Sequence, residues 1–188
     1  MTIALPHLTL VLGGAASGKS LYAERLAVAS GLKRVYVATA RPSDAEMRQK
    51  IDRHRSRRGT QWTTIEAAGT DLVDLLTSGP GRGARSVVLV DSLTLWTSEL
   101  VVSVQDVEKY DARASALREA VRHHAGPVIC VSDDVSGGIV PANPLTRHFR
   151  DCHGRLNQGF AEDSDLVVLV TAGLPLALKG QLLVPETR

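Results

Sequence analysis

The sequence predicts an α/β protein with a mostly parallel sheet flanked by helices, and three observations carry that expectation. Residues 8–12, 34–38, 86–90, 128–132 and 165–171 are short runs rich in Val, Ile and Leu without polar alternation, as strands covered on both faces require. Helical stretches separate them, which favours right-handed crossovers in one sheet. A glycine-framed turn, Gly13-Gly14-Ala15-Ala16-Ser17-Gly18-Lys19-Ser20, links the first run to the first helix. Functional loops of such a sheet belong outside the carboxyl ends of its strands.

That turn has the G-x-x-x-x-G-K-[ST] pattern of a P-loop in its required strand–turn–helix setting. Glycines let successive amides turn inward around a polyphosphate, and the following helix N-terminus adds partial positive charge. Lys19 is placed to reach the terminal phosphates, and the Ser20 hydroxyl to ligate magnesium. Residues 88–91, Val-Leu-Val-Asp, form an apolar strand ending in a carboxylate. Behind a P-loop this is a Walker-B arrangement, with Asp91 completing the magnesium shell opposite Ser20.

After the second strand, Ser43 and Glu46 form a capping box that opens a helix running to about Arg55. Met47, Ile51 and His54 share one of its faces, so His54 reads as a histidine on a buried stripe. Lys50, Arg53, Arg55, Arg57 and Arg58 surround it with positive charge, which suits a phosphate-directed nucleophile or general acid. The basic cluster also reads as a solvated face or a nucleic-acid patch. Residues 61–65 suggest a short edge strand ending at Glu66, and helices are expected near 71–76, 92–102 and 106–124. The loop Asp133-Asp134-Val135-Ser136-Gly137-Gly138 is either a site loop or a solvated turn.

Asn143 as N-cap and Pro144 at N1 open a helix with Leu145, Phe149, Cys152, Leu156 and Phe160 as its apolar stripe. His123 and His124 read as structural or surface residues, and His148 and His153 lack metal-site spacing. A last strand at 166–170 reverses near Gly173 through 174–178, giving an antiparallel C-terminal strand. Residues 181–188 read as a tail appended to one domain spanning 1–188.

With 188 residues, 44% hydrophobic and 22% charged, the composition is that of an ordinary globular protein. A net charge of +2 and 4% aromatics argue against nucleic acid as a partner. No run is long enough to span a membrane, and the first twelve residues lack a signal peptide's basic region. Cys130 and Cys152 read as buried thiols in a reducing cytoplasm.

Several motifs in order resemble one family, the bifunctional adenosylcobinamide kinase/adenosylcobinamide-phosphate guanylyltransferase of cobalamin biosynthesis. They are Leu12-Gly13-Gly14-Ala15 with Ser17-Gly18-Lys19-Ser20, then Tyr36-Val37-Ala38-Thr39-Ala40, and Asp44-Ala45-Glu46-Met47 with Arg53-His54-Arg55 and Trp62. Val90-Asp91-Ser92-Leu93-Thr94-Leu95-Trp96 and Gly138-Ile139-Val140-Pro141 follow. Arg147-His148-Phe149-Arg150-Asp151 through Gly154-Arg155-Leu156-Asn157-Gln158 completes the set.

The resemblance implies a RecA-like P-loop fold and a homotrimer. It implies that ATP or GTP phosphorylates the hydroxyl of the aminopropanol arm of the corrinoid adenosylcobinamide. GTP then guanylylates a histidine, matching His54, and the phosphorylated corrinoid takes up the GMP. Thr39, Ala40, Arg41, Arg55, Ser56, Arg57, Arg58 and Glu66 are implied nucleotide contacts. Ala16 departs from a frequent arginine, Asp133-Asp134 from a typical Asn-Glu and Ser92 from a frequent cysteine; the first two bear on the kinase step. A P-loop kinase of another small metabolite, or a RecA-like ATPase on nucleic acid, are the competing readings.

Overall fold

The computed structural model describes residues 2–41, 48–49, 55–56, 58–67, 71–81, 83, 85–104 and 106–185. Seven strands form one sheet: β1 (Leu8–Gly13), β2 (Lys33–Ala38), β3 (Trp62–Glu66), β4 (Ser86–Asp91), β5 (Val128–Asp133), β6 (Leu166–Thr171) and β7 (Leu174–Lys179). Their spatial order is β3-β2-β4-β5-β1-β6-β7. Every pairing is parallel except that of β6 with β7, which is antiparallel as expected. The predicted strand at 61–65 is β3, at the sheet edge.

Among the described residues the main helices are α1 (Lys19–Ala29), α2 (Leu72–Ser78), α3 (Leu93–Ser103), α4 (Val107–Arg122) and α5 (Pro144–Asp163). Side chains cap four of them, which satisfies amides that a helix start otherwise leaves open. Asp71 accepts from Val73 N, Ser92 from Leu95 N, Asp106 from Glu108 N and Asn143 from Leu145 N. Helix α1 differs: Gly18 precedes it and no side chain caps it.

Leu10, Val11, Ile129 and Val131 in the central strands are fully buried. Burying each such side chain contributes roughly 1.5–3 kcal/mol. One face packs on α2, α4 and α5 through Leu72, Leu117, Val121 and Phe160. The other packs on α1 through Tyr22, Ala23 and Leu26.

Two expectations need correction. Residues 181–185 do not form an appendage: Leu182 and Leu183 pack on the α1 side of the core, and the Tyr22 hydroxyl donates to Leu183 O at 2.6 Å. Burial pushes that phenol up to about 12. On α5, Cys152, Leu156 and Phe160 are buried, but Leu145, in the first turn, is 49% exposed. Both cysteines are buried and free, and burial raises the Cys130 thiol. His124 is buried against Gly126, whereas His123 is exposed beside Glu119.

Candidate nucleotide site at the carboxyl edge of the sheet

Two glycines of the turn after β1, Gly13 and Gly18, are required by space or backbone angle, whereas Gly14 faces open space. A Cβ on Gly13 would lie 2.4 Å from Ser17 Oγ and 2.6 Å from Val170 O. Gly18 sits at φ +95°, where a side chain would be strained, and its Cβ would meet Gly173 Cα at 3.2 Å. The turn between β6 and β7 props the loop, with Gly173 N donating to Ser17 O at 2.8 Å. The loop thus delivers its backbone to the uncapped start of α1, where open amides favour an anion.

Beside it lies a cavity of about 490 Å³. Ala15, Ala16, Lys19 and Ser20 line it from the loop, and Asp91 from the end of β4. Ala38, Ala40, Arg58 and Glu66 close one side, and Asp133, Asp134 and Phe149 another. The carboxyl ends of β1, β2, β3, β4 and β5 therefore converge on one space, as the strand-end rule anticipates.

Lys19 Nζ is 2.6 Å from Asp133 Oδ1 and donates to Gly14 O at 3.2 Å. Gly13 and Asp133 are register partners in the β1–β5 ladder, which brings the two residues together. Asp91 Oδ2 accepts a 2.9 Å hydrogen bond from the Tyr36 hydroxyl. Burial, and then the Asp91 charge, raise the Tyr36 phenol, so it stays a donor.

Arg58 has a 4% exposed side chain and lies over the Tyr36 ring at 3.4 Å, with Nη1 3.7 Å from Glu24. Its Nε and Nη1 have no hydrogen-bond partner among the described residues.

Other implied contacts sit elsewhere. Thr39 does not line the cavity with its side chain: the hydroxyl donates to Ser92 O and accepts from Ser92 N, holding β2 to β4. Arg41 pairs with Glu99 at 2.6 Å and is not among the residues that line the cavity. Arg55, exposed, pairs with Glu66 at 2.6 Å, and Ser56 is exposed in the same helical stretch. His54 and Arg57, with the capping box at Ser43 and Glu46, lie outside the described residues.

Sequence reasoning missed Tyr36, Thr94, His153 and Asn157 as partners of site residues. Tyr36, Thr94 and Asn157 each stand inside a motif quoted above, which was the available signal. His153, fully buried, had none.

Among the described residues no group of three or more His, Cys, Asp or Glu could hold a metal. One carboxylate and one hydroxyl suit magnesium that keeps its waters and is bound largely through substrate phosphates. The donor set of Ser20 and Asp91 fits that group.

A glycine-framed loop after β1, an interior strand of the sheet, with Lys19, Ser20 and a strand-end Asp91 on one cavity, defines a P-loop protein of the RecA-like fold. Two solved structures share that fold at low identity. A flagellar accessory protein, FlaH, from Methanocaldococcus jannaschii is 12% identical, with a TM-score of 0.51 over 94% of this chain and 80% of that one. A prototypical ATPase from the type III secretion system of pathogenic bacteria is 9% identical, with a TM-score of 0.53 over 90% and 52%. The chain itself belongs to the cobinamide kinase / cobinamide phosphate guanyltransferase family, whose pattern matches residues 9–178. It is 41% identical over 172 residues to the bifunctional adenosylcobalamin biosynthesis protein CobP of Pseudomonas aeruginosa, covering 92% of this chain and 97% of that protein. Identity to the bifunctional protein CobU of Salmonella typhimurium is 34% over 182 residues, covering 90% and 98%.

Proposed function

We propose that this chain phosphorylates the hydroxyl of adenosylcobinamide with ATP or GTP and then transfers GMP from GTP to the phosphorylated corrinoid. The observation that carries this reading is the convergence of Lys19, Ser20 and Asp91 on one cavity in a member of this family. The P-loop amides and Lys19 hold the triphosphate, and Arg58 and Glu66 flank it. Ser20 and Asp91 would hold magnesium, which would supply neutralisation of charge on the transferred group. Tyr36 holds one Asp91 oxygen, leaving the other to serve as ligand. Positioning and electrostatics supply the phosphorylation rate: the corrinoid oxygen bonds to Pγ, the Pγ–O bond to the nucleoside diphosphate breaks, and the hydroxyl proton leaves to solvent or base.

For the second reaction, an unprotonated nitrogen of His54 attacks Pα of GTP, and the Pα–O bond to pyrophosphate breaks. The corrinoid phosphate then displaces His54 and takes the GMP, giving adenosylcobinamide-GDP. A homotrimer in the cytoplasm completes the reading, supported by family membership; no described helix is long and apolar enough to cross a membrane.

Incubation with GTP and magnesium, followed by intact mass and peptide mapping, tests it. The expected result is one GMP on His54, lost in acid, stable in base and absent from His54→Ala, which retains phosphorylation of adenosylcobinamide. Label on His148 or His153, or none with a competent corrinoid kinase, overturns the His54 assignment.

A further inference from the structure

Asp133 is the last residue of β5, and its backbone N–H and carbonyl, in the two peptides that flank it, are held by side chains of two helices. Its N–H donates to Thr94 Oγ1 of α3 at 2.7 Å. Its carbonyl lies 3.0 Å from His153 Nε2 and accepts from Asn157 Nδ2 at 3.1 Å, both on α5. A carbonyl only accepts, which assigns the imidazole proton to Nε2. Ser132 Oγ donates to Asn157 Oδ1 at 2.6 Å, and this orients the amide so that its nitrogen faces Asp133. His153 is fully buried, stacked on Phe149 at 5.5 Å with 6° between the rings, and its Nδ1 is 3.2 Å from Thr97 Oγ1.

An apolar set of similar volume would fill this space without desolvating so many polar groups. What the polar set adds is a fixed aim for the backbone of one residue. The carboxylate of that residue meets Lys19 Nζ at 2.6 Å, in a pair whose side chains are 12% and 26% exposed. A lysine ammonium is a point charge on a flexible stem, so it needs an outside partner to hold one position.

We propose that Thr94, His153 and Asn157 are positioning residues for the P-loop: by clamping the backbone on both sides of Asp133 they hold its carboxylate on Lys19 and so set the lysine that meets the triphosphate. This rests on the reading of the P-loop as the triphosphate site. His153 and Asn157 do not line the cavity; Thr94 does, but its hydroxyl is engaged by Asp133 N, so each of the three is assigned to act through Asp133.

The test is a double-mutant cycle between Thr94 and Asp133 in the full chain. Asp133→Ala lowers kcat for corrinoid phosphorylation about 100-fold and Thr94→Val about 10-fold, because a small misplacement of a group at the reacting phosphate is costly. The double variant is no slower than Asp133→Ala alone, since the clamp has nothing left to aim. Thr94→Ser, which keeps the acceptor for Asp133 N, restores most of the rate. Losses that multiply in the double variant, an inert Asp133→Ala, or a Thr94→Ser as slow as Thr94→Val overturn the proposal.

If Thr94→Val does not fold, Asn157→Ala enters the same cycle, its side chain being only half-buried. A wild-type chain that does not phosphorylate adenosylcobinamide removes the proposed reaction without deciding the clamp. The cycle is then read in magnesium-ATP affinity. Asp133→Ala shifts the Kd, Thr94→Val shifts it in the same direction, and the double variant shows the Asp133→Ala value. Independent shifts, or no shift in Asp133→Ala, overturn the clamp itself.

Discussion

The guanidinium of Arg58 lies 3.4 Å over the ring of Tyr36, whose hydroxyl donates to Asp91 Oδ2 at 2.9 Å. A cation drawn from the basic stretch after β2 is thus packed against the residue that fixes the strand-end carboxylate. A desolvated cation–π contact of this kind contributes about 2 kcal/mol. Arg58→Ala is expected to lower the unfolding free energy by about that amount, and Arg58→Lys by less, because the planar guanidinium stacks better. Denaturant titration measures it. A change within about 0.5 kcal/mol, the range of an ordinary surface substitution, would show the contact to be incidental.

Magnesium dependence should run through the same chain of contacts. Asp91→Asn is expected to lower metal-dependent turnover and raise the half-saturating magnesium concentration. Tyr36→Phe, which removes only the hydrogen bond to the carboxylate, should raise that concentration about 10-fold with the fold intact. Magnesium titrations that overlay the wild type for both variants would reduce Asp91 to a strand-end residue.

Lys19 packs on the cavity wall rather than in either hydrophobic core. Lys19→Ala should therefore leave the thermal melt within a few degrees of wild type. Both reactions should fall at least about 100-fold through lost charge stabilisation. Undiminished phosphorylation and GMP transfer by a folded variant would remove the P-loop assignment.

His153 links stability to pH. Its imidazole is held below the ordinary histidine range chiefly by burial; the Asp133 carbonyl and the Asp133 and Asp134 carboxylates pull the other way and do not prevail. The folded state therefore keeps the ring neutral, while the unfolded chain takes up a proton near about pH 6.5. The stability from this group is fully present above that value and declines as pH falls towards the depressed folded pKa. The slope reaches at most about 1.4 kcal/mol per pH unit for one proton. His153→Gln should flatten the wild-type curve as pH falls below about 6.5, and parallel curves would locate the acid sensitivity elsewhere.

What could be read from the chain alone was local. Unalternating Val, Ile and Leu runs marked the parallel strands, Asn143-Pro144 marked the start of α5, and the eight residues Gly13 to Ser20 marked the loop, because each signal lies within a few neighbouring residues. Asp91 was legible for the same reason, as a carboxylate closing an apolar run. The partners of these residues were not. Nothing in the spacing says that β5 inserts between the loop strand and the Asp91 strand, yet that order brings Asp133 to Lys19. Of the arginines grouped by sequence, Arg58 is buried on Tyr36, Arg55 turns to Glu66, and Arg41 turns to Glu99. Composition cannot separate those fates, since all carry the same charge. Thr94 and His153 are 59 residues apart, and they meet only because α3 and α5 cover the same face of the sheet. Backbone propensity acts over a turn or a strand, whereas these contacts depend on which surfaces the whole core brings together to exclude water.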